Sequence, residues 1–252
     1  MSTWIGHLRI AERLLPQLDG LDEVAFTFGS LAPDSGIPNA DWTQFDPPKT
    51  VTHFMSKGQE EEGIRDMEFY RGYLQDLSLT DDPQTYSFRL GYFFHLLSDK
   101  LFWLRLGMVT RDLFKEPLAE KGLKWVDEVK RDWYGLDHRY VHQHPDCLFW
   151  RVFHATPNIP SYVPFVPEAA MHHQWNYIRT FYSESNDYWL EDRSYPYLNE
   201  ATMQRHVEDT ANALSKIYMQ MQRNVVPAEG NTMLALLDDA EIAPYAPPLG
   251  DA

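Results

Sequence analysis

The chain has 252 residues, enough to bury one large core, and its 37 acidic against 22 basic residues give a formal charge of −15. That balance opposes binding to duplex nucleic acid or to an anionic membrane through a broad basic face. The single cysteine, Cys147, excludes an intramolecular disulfide framework and a cysteine-rich zinc ribbon, whereas ten histidines leave ample nitrogen ligands. The opening run MSTWIGHLRIAERLL turns charged within a few residues and does not read as a signal peptide, and no run has the apolar length of a membrane span. The expectation is a soluble, cytoplasmic protein with no nucleic-acid partner and no stable membrane anchoring.

The spacing predicts a helix over residues 3–18, with Trp4, Leu8, Ala11, Leu14, Leu15 and Leu18 on one face, Arg9, Glu12 and Arg13 opposite, and Pro16 distorting the last turn. His7 falls on the apolar face and is aimed inward. Residues 26–52 shift to Gly, Pro, Asp and Asn and read as an irregular loop, the kind of segment in which sites are built over a scaffold. A second helix is predicted over residues 59–77, with Ile64, Met67, Tyr70, Leu74 and Leu77 inward. The central helix, residues 85–109, is apolar around most of its axis and contains the run His95-Leu96-Leu97-Ser98-Asp99. A shorter helix follows over residues 118–134, while residues 138–166, rich in His, Pro and aromatics, resist assignment. Two later helices span residues 169–182 and 199–222, the second with Asn199 as its N-cap.

Residues 1–226 are expected to form one domain, and residues 227–252 an acidic, Pro-containing tail that packs weakly or is disordered. Strand-like runs are short and no repeat of 20 to 50 residues is visible, so the predicted fold class is all-α, a single-domain multi-helix bundle.

His95 and Asp99 are four residues apart, so a helix places both on one face. A buried carboxylate left without a partner is costly, and residues 91–99 contain no Lys or Arg. Either a carboxylate–imidazole pair or a metal ion answers that need. Asp34 in GSLAPDSGIP, His53 in TVTHF and His7 add further donors. Three imidazoles and two carboxylates suit Zn²⁺ and are tolerable to Mn²⁺ or Fe²⁺. Read singly, His7 fits equally a core imidazole bonded to a carbonyl, and Asp34 a turn-stabilising carboxylate.

In this order the segments resemble the zinc-dependent phospholipase C family, whose relatives include the bacterial secreted phospholipases C and, more distantly, the S1/P1-type nucleases. GHLRIAE, with His7, is similar to the family's first zinc-ligating helix. GSLAPDSG with Asp34, THF with His53, and LGYFFHLLSD with His95 and Asp99 are similar to its next three ligand segments. The likeness covers roughly the first 100 residues and then weakens. LFWLRLGMV carries Arg105 in the region where the family has a further zinc-ligating His, and no His-x-x-x-Glu pair follows. In VKRDWYGLDHRYVHQH the available replacements are Asp132, Asp137, His138 and His142, with Asp137 the first choice. Trp4 is internal, cannot supply the free amine of the family's N-terminal Trp, and reads as a core residue.

The resemblance implies a phospholipase C/P1 nuclease-like fold and a centre holding Zn²⁺, with two ions expected and one or three as alternatives. Its metal ligands would be His7, Asp34, His53, His95, Asp99 and Asp137. Asp34 would act as catalytic general base or water-orienting carboxylate, and Arg105 would either face the substrate phosphate or pair with another carboxylate. The implied activity is hydrolysis of a phosphodiester or phosphomonoester, in a small-molecule or lipid substrate, by a metal-activated water. FWRVFHATPNIPSYVPFVP reads either as lining for an apolar pocket or as core. Two other classes stand beside this one. A helical metal phosphohydrolase of the HD-domain kind needs an adjacent His-Asp dipeptide, which the sequence lacks. A noncatalytic helical protein would keep the scaffold with a structural ion or none.

Overall fold

The computed structural model describes residues 2–41, 43–189 and 193–251. Helices account for 62% of the protein and strand for 2%, so the architecture is all-α. In chain order the helices are α1 (Trp4–Leu14), α2 (Glu23–Gly29), α3 (Lys49–Thr52), α4 (Asp66–Phe69), α5 (Pro83–Phe102), α6 (Met108–Leu113), α7 (Lys115–Lys121), α8 (Leu123–Gln143), α9 (Glu168–Ser183), α10 (Glu200–Gln222) and α11 (Asp239–Ile242). Among the described residues the strand content is a single antiparallel pair, β1 (Ile37–Pro38) with β2 (Phe45–Asp46), in which Ile37 faces Asp46 and Pro38 faces Phe45. No helix among the described residues is long and apolar enough to cross a membrane.

Helix α5 is the axis of the molecule. Asp82 caps its N-terminus, accepting from the Thr85 amide at 3.1 Å, and Pro83 occupies the first turn, where its missing N–H costs nothing. Every residue from Leu90 to Phe102 is buried, as the all-round apolar sequence requires. Helix α2 lies directly on α5, and two glycines set that distance. A Cβ on Gly29 would lie 2.1 Å from the Phe88 carbonyl oxygen, and one on Gly91 would lie 2.4 Å from that of Phe26. Any side chain at either position would drive the two backbones apart. On the other side α1 packs against α10 and also touches α2, α5 and α8.

Several elements differ from the sequence expectation. The first helix ends at Leu14, and Pro16 falls in a 3₁₀ turn over Leu15–Gln17. Residues 26–52 are not wholly irregular: α2 starts at Glu23, capped by Asp22 (2.8 Å to the Ala25 amide), and α3 ends at Thr52. The segment 59–77 is broken into a 3₁₀ turn at Glu61–Gly63, α4, and a π-turn at Tyr70–Leu74. The break has a cause in Asp66, which is fully buried and held by Lys100 Nζ at 3.1 Å and the Met233 amide at 2.7 Å. Gly122, at φ +57°, separates α7 from α8, and α8 runs on to Gln143 rather than stopping near Tyr134.

The C-terminal segment is also corrected. Met233, Leu234, Leu237, Tyr245 and Leu249 are buried, the Tyr245 amide donates to the Arg105 carbonyl at 3.0 Å, and the Leu249 carbonyl accepts from Asn199 at 2.9 Å. Its apolar residues follow no helical or strand period, so they left no pattern in the sequence.

Candidate metal centre

Five side chains from four places in the fold meet between α1, α2 and α5. His7 comes from the second turn of α1, Asp34 from the 3₁₀ turn after α2, His53 from the C-cap of α3, and His95 and Asp99 from α5. His7, His53, His95 and Asp99 are buried, and Asp34 keeps a 10% exposed side chain at the edge of the group.

His53 Nε2 lies 3.3 Å from His95 Nε2 and 3.5 Å from both Asp34 Oδ1 and Asp99 Oδ2. His95 Nε2 lies 3.6 Å from Asp99 Oδ2 and 3.9 Å from Asp34 Oδ1. A tetrahedral ion with bonds of about 2.0–2.1 Å separates its ligand atoms by about 3.3–3.4 Å, so His53, His95 and either carboxylate already have nearly the spacing one ion would impose. The other oxygen of Asp99, Oδ1, is 3.4 Å from His7 Nε2. Donor atoms of His7, His95 and Asp99, and of Asp34, His53 and His95, form two groups close enough to share an ion.

The outer nitrogens fix which way the imidazoles present their lone pairs. His95 Nδ1 is 2.8 Å from the Ser30 carbonyl, which can only accept, so Nδ1 carries a proton. Ser98 Oγ donates to the His95 carbonyl at 2.9 Å, so it accepts from His7 Nδ1 at 2.9 Å. These network assignments leave Nε2 of neutral His7 and His95 as acceptors facing the group, the tautomer a metal ligand requires. His53 Nδ1 contacts Thr52 Oγ1 at 3.0 Å, and Tyr92 pins Thr52 by donating to its carbonyl at 2.5 Å. The Ser30 carbonyl reaches His95 because Gly29 and Gly91 let α2 and α5 touch.

Two atoms at the centre, His7 Nε2 and Asp99 Oδ2, are buried with no hydrogen-bond partner. Burial opposes ionisation of Asp34, but His95 and His53 overcome it and hold its carboxyl down at about 2. The same imidazoles hold Asp99 well below the carboxylate range against burial. Burial favours a neutral His95, yet Asp99 and Asp34 raise its basicity on balance. His7 is lowered to about 4 by burial and then by His95. The centre therefore keeps two carboxylates ionised and recruits a proton when no other cation is at hand. These residues fit a divalent ion: their donors are correctly spaced, oriented from behind, and short of positive charge.

A cleft of about 410 Å³ opens over the centre. Of the five donors only Asp34 and His53 line it; Trp4, Tyr134, Tyr177 and Phe181 form an aromatic wall, and Lys49 and Lys130 supply its cations. Lys49 is tied to Glu61 at 3.0 Å. Trp4 is thus not simply core. It is half-buried and meets Tyr177 and Phe181 edge-on at ring separations of 5.9 and 5.8 Å.

Two predicted site residues stand elsewhere. Asp137 is buried beneath the N-terminus of α1, where it accepts from Thr3 Oγ1 at 2.8 Å and Tyr182 OH at 2.6 Å. Burial raises its carboxyl to about 7. With both oxygens engaged it belongs to the anchor of α1, not to the group of donors. Arg105 spends its guanidinium on the Thr210 hydroxyl at 2.9 Å and the Glu241 carbonyl, holding α10 and α11 together, and so faces no phosphate site. The remaining downstream alternatives do not join either. Asp132 pairs with Arg193 at 2.6 Å, His138 contacts Asn186, and His142 stacks on Trp189 at 3.7 Å. The sequence reading missed Ser30, Thr52 and Ser98 as supports. Only Ser98, set between His95 and Asp99 in the quoted run, had a visible signal.

No protein-family model, no curated protein and no solved structure matches the chain.

Proposed function

We propose that the protein is a metal-dependent phosphoesterase with a phospholipase C-like ligand set. The observation carrying this reading is the convergence of His7, Asp34, His53, His95 and Asp99 with their outer nitrogens already bonded and two inner atoms unpaired. Asp34, His53 and His95, or His7, His95 and Asp99, would hold a Zn²⁺, His95 being common to both groups. Zinc at such a site supplies Lewis acidity toward a phosphoryl oxygen and acidifies water.

The protein's own groups then divide the work. Asp34 is the carboxylate that reaches the cleft, so it is the residue to orient a water and take its proton. Lys130 gives the cleft positive charge inside an otherwise acidic chain, while Lys49 is paired with Glu61. The aromatic wall excludes water from the opposite side. Complete burial of His7, His95 and Asp99 favours one second reading, a structural ion without turnover.

Metal analysis of the purified protein by mass spectrometry, paired with a phosphomonoester and phosphodiester screen of zinc- and manganese-loaded protein, separates these. Bound metal that is lost in His95→Ala and Asp99→Ala, together with turnover lost in the same variants, is the expected result. Metal without turnover of any ester leaves the structural ion. Equal metal content in wild type and both variants would refute the centre.

A further inference from the structure

Helix α9 turns one face toward the cleft. Gln174, Tyr177 and Phe181 follow one another at helical spacing and all three line it, whereas Trp175, Ile178 and Tyr182 of the same helix are core. Gln174 is the anomaly on that face. It is only 4% exposed, nearly as buried as its core neighbours, yet its side-chain amide has no hydrogen-bond partner among the described residues. Neither amide atom is sealed inside the protein, so the amide opens on the cleft.

The rest of the lining decides what that amide can meet. Asp34 is the only carboxylate among the described residues that line the cleft, and it belongs to the donor group. Lys130 has no ion-pair partner among the described residues, while Lys49 is held by Glu61. A cationic head group would therefore meet a like charge and no free carboxylate. The amide adds a requirement of its own. It presents two N–H donors and a carbonyl acceptor without net charge, and leaving them dry and unpaired is unfavourable. Hydroxyls both donate and accept, so neighbouring hydroxyls of a polyol match the amide, and Trp4 and Tyr177 offer rings for its C–H surface to lie against. A quaternary ammonium would be attracted to the rings, but it has neither donor nor acceptor and would leave the amide bare.

We infer that Gln174 is the specificity-determining residue of the cleft, selecting an uncharged polyhydroxy alcohol over a quaternary ammonium one. That the alcohol arrives as a phosphoester rests on the proposed function; the choice between alcohols does not.

The test uses zinc-loaded, full-length protein with glucose 1-phosphate and phosphocholine, two monoesters that differ in their alcohol. Proton NMR reports binding by saturation transfer and turnover by the released alcohol in one experiment. Wild type should favour glucose 1-phosphate by about tenfold or more, in affinity or in kcat/KM. Gln174→Leu should lose about tenfold for glucose 1-phosphate and stay within about twofold for phosphocholine. Gln174→Glu keeps the outline of the side chain and adds a carboxylate, and it should reverse the preference even if the leucine variant does not fold. The inference is overturned by wild type taking phosphocholine as well as glucose 1-phosphate, by equal losses for both esters in Gln174→Leu, by an unreversed preference in Gln174→Glu, or by neither ester binding or turning over. Binding with the expected preference but without released alcohol removes the proposed function and leaves selection by Gln174 standing.

Discussion

Asp137→Asn is the substitution whose effect can be worked most directly. Burial lifts the Asp137 carboxyl from its ordinary 3.8 to about 7, so between these values the folded protein holds a proton that the unfolded chain has released. Stability must therefore fall as pH rises through that window, and the loss is complete above pH 7. The interval corresponds to on the order of 4 kcal/mol. His7 acts in the opposite sense. Its folded value of about 4 lies below the ordinary 6.5, so its contribution grows as pH rises between them. The wild-type profile mixes both effects, and the difference between wild type and Asp137→Asn isolates one. Asn keeps an acceptor for Thr3, can donate to Tyr182, and does not titrate. Urea unfolding of both proteins in chelator, from pH 4 to pH 8, should show the variant gaining on wild type by several kcal/mol across the range. Parallel profiles would refute the reasoning and place water or an unseen partner at Asp137.

Three other outcomes follow from the packing. Ser98→Ala removes the acceptor that orients His7 and should lower metal affinity by about 10–100-fold, read by competition with a chromophoric chelator, while helix content is unchanged. Gly29→Ala places a Cβ against the Phe88 carbonyl and should destabilise the fold by roughly 1–3 kcal/mol or more in denaturant titration, with loss of bound metal as the Ser30 carbonyl leaves His95. Truncation after Val226 strips buried Met233, Leu234, Tyr245 and Leu249 and leaves Asp66 without the Met233 amide. Each lost side chain costs roughly 1.5–3 kcal/mol, so the shortened chain should lose its cooperative thermal transition.

Helix existence was legible where apolar periodicity was long. The segments containing α1, α5, α9 and α10 were identified, and Asn199 does cap α10, accepting from the Thr202 amide at 2.9 Å. Short elements were not, because α2 has seven residues and ends in Gly, and because the fate of Asp66 depends on Lys100 and Met233 far along the chain. The five donors were legible as residue types in an order, and the structure brings all five together. Asp137 and Arg105 were misplaced for a common reason. Each is a charged residue in an apolar neighbourhood, and sequence alone does not distinguish a ligand from a buried group already satisfied by Thr3 and Tyr182 or by Thr210 and Glu241. The aromatic wall was invisible since its members lie on helices remote in sequence.

That wall joins distant parts of the chain over the centre. Every donor atom of the centre comes from the first 99 residues, whereas Tyr134, Tyr177 and Phe181, which face the centre across the cleft, come from α8 and α9. The donors thus come from one stretch of polypeptide, while the cleft over them is lined by both, Trp4 and Lys49 from the first and Tyr134, Tyr177 and Phe181 from the second. Changes at Tyr134, Tyr177 and Phe181 can therefore reshape the cleft without touching any of the five donors.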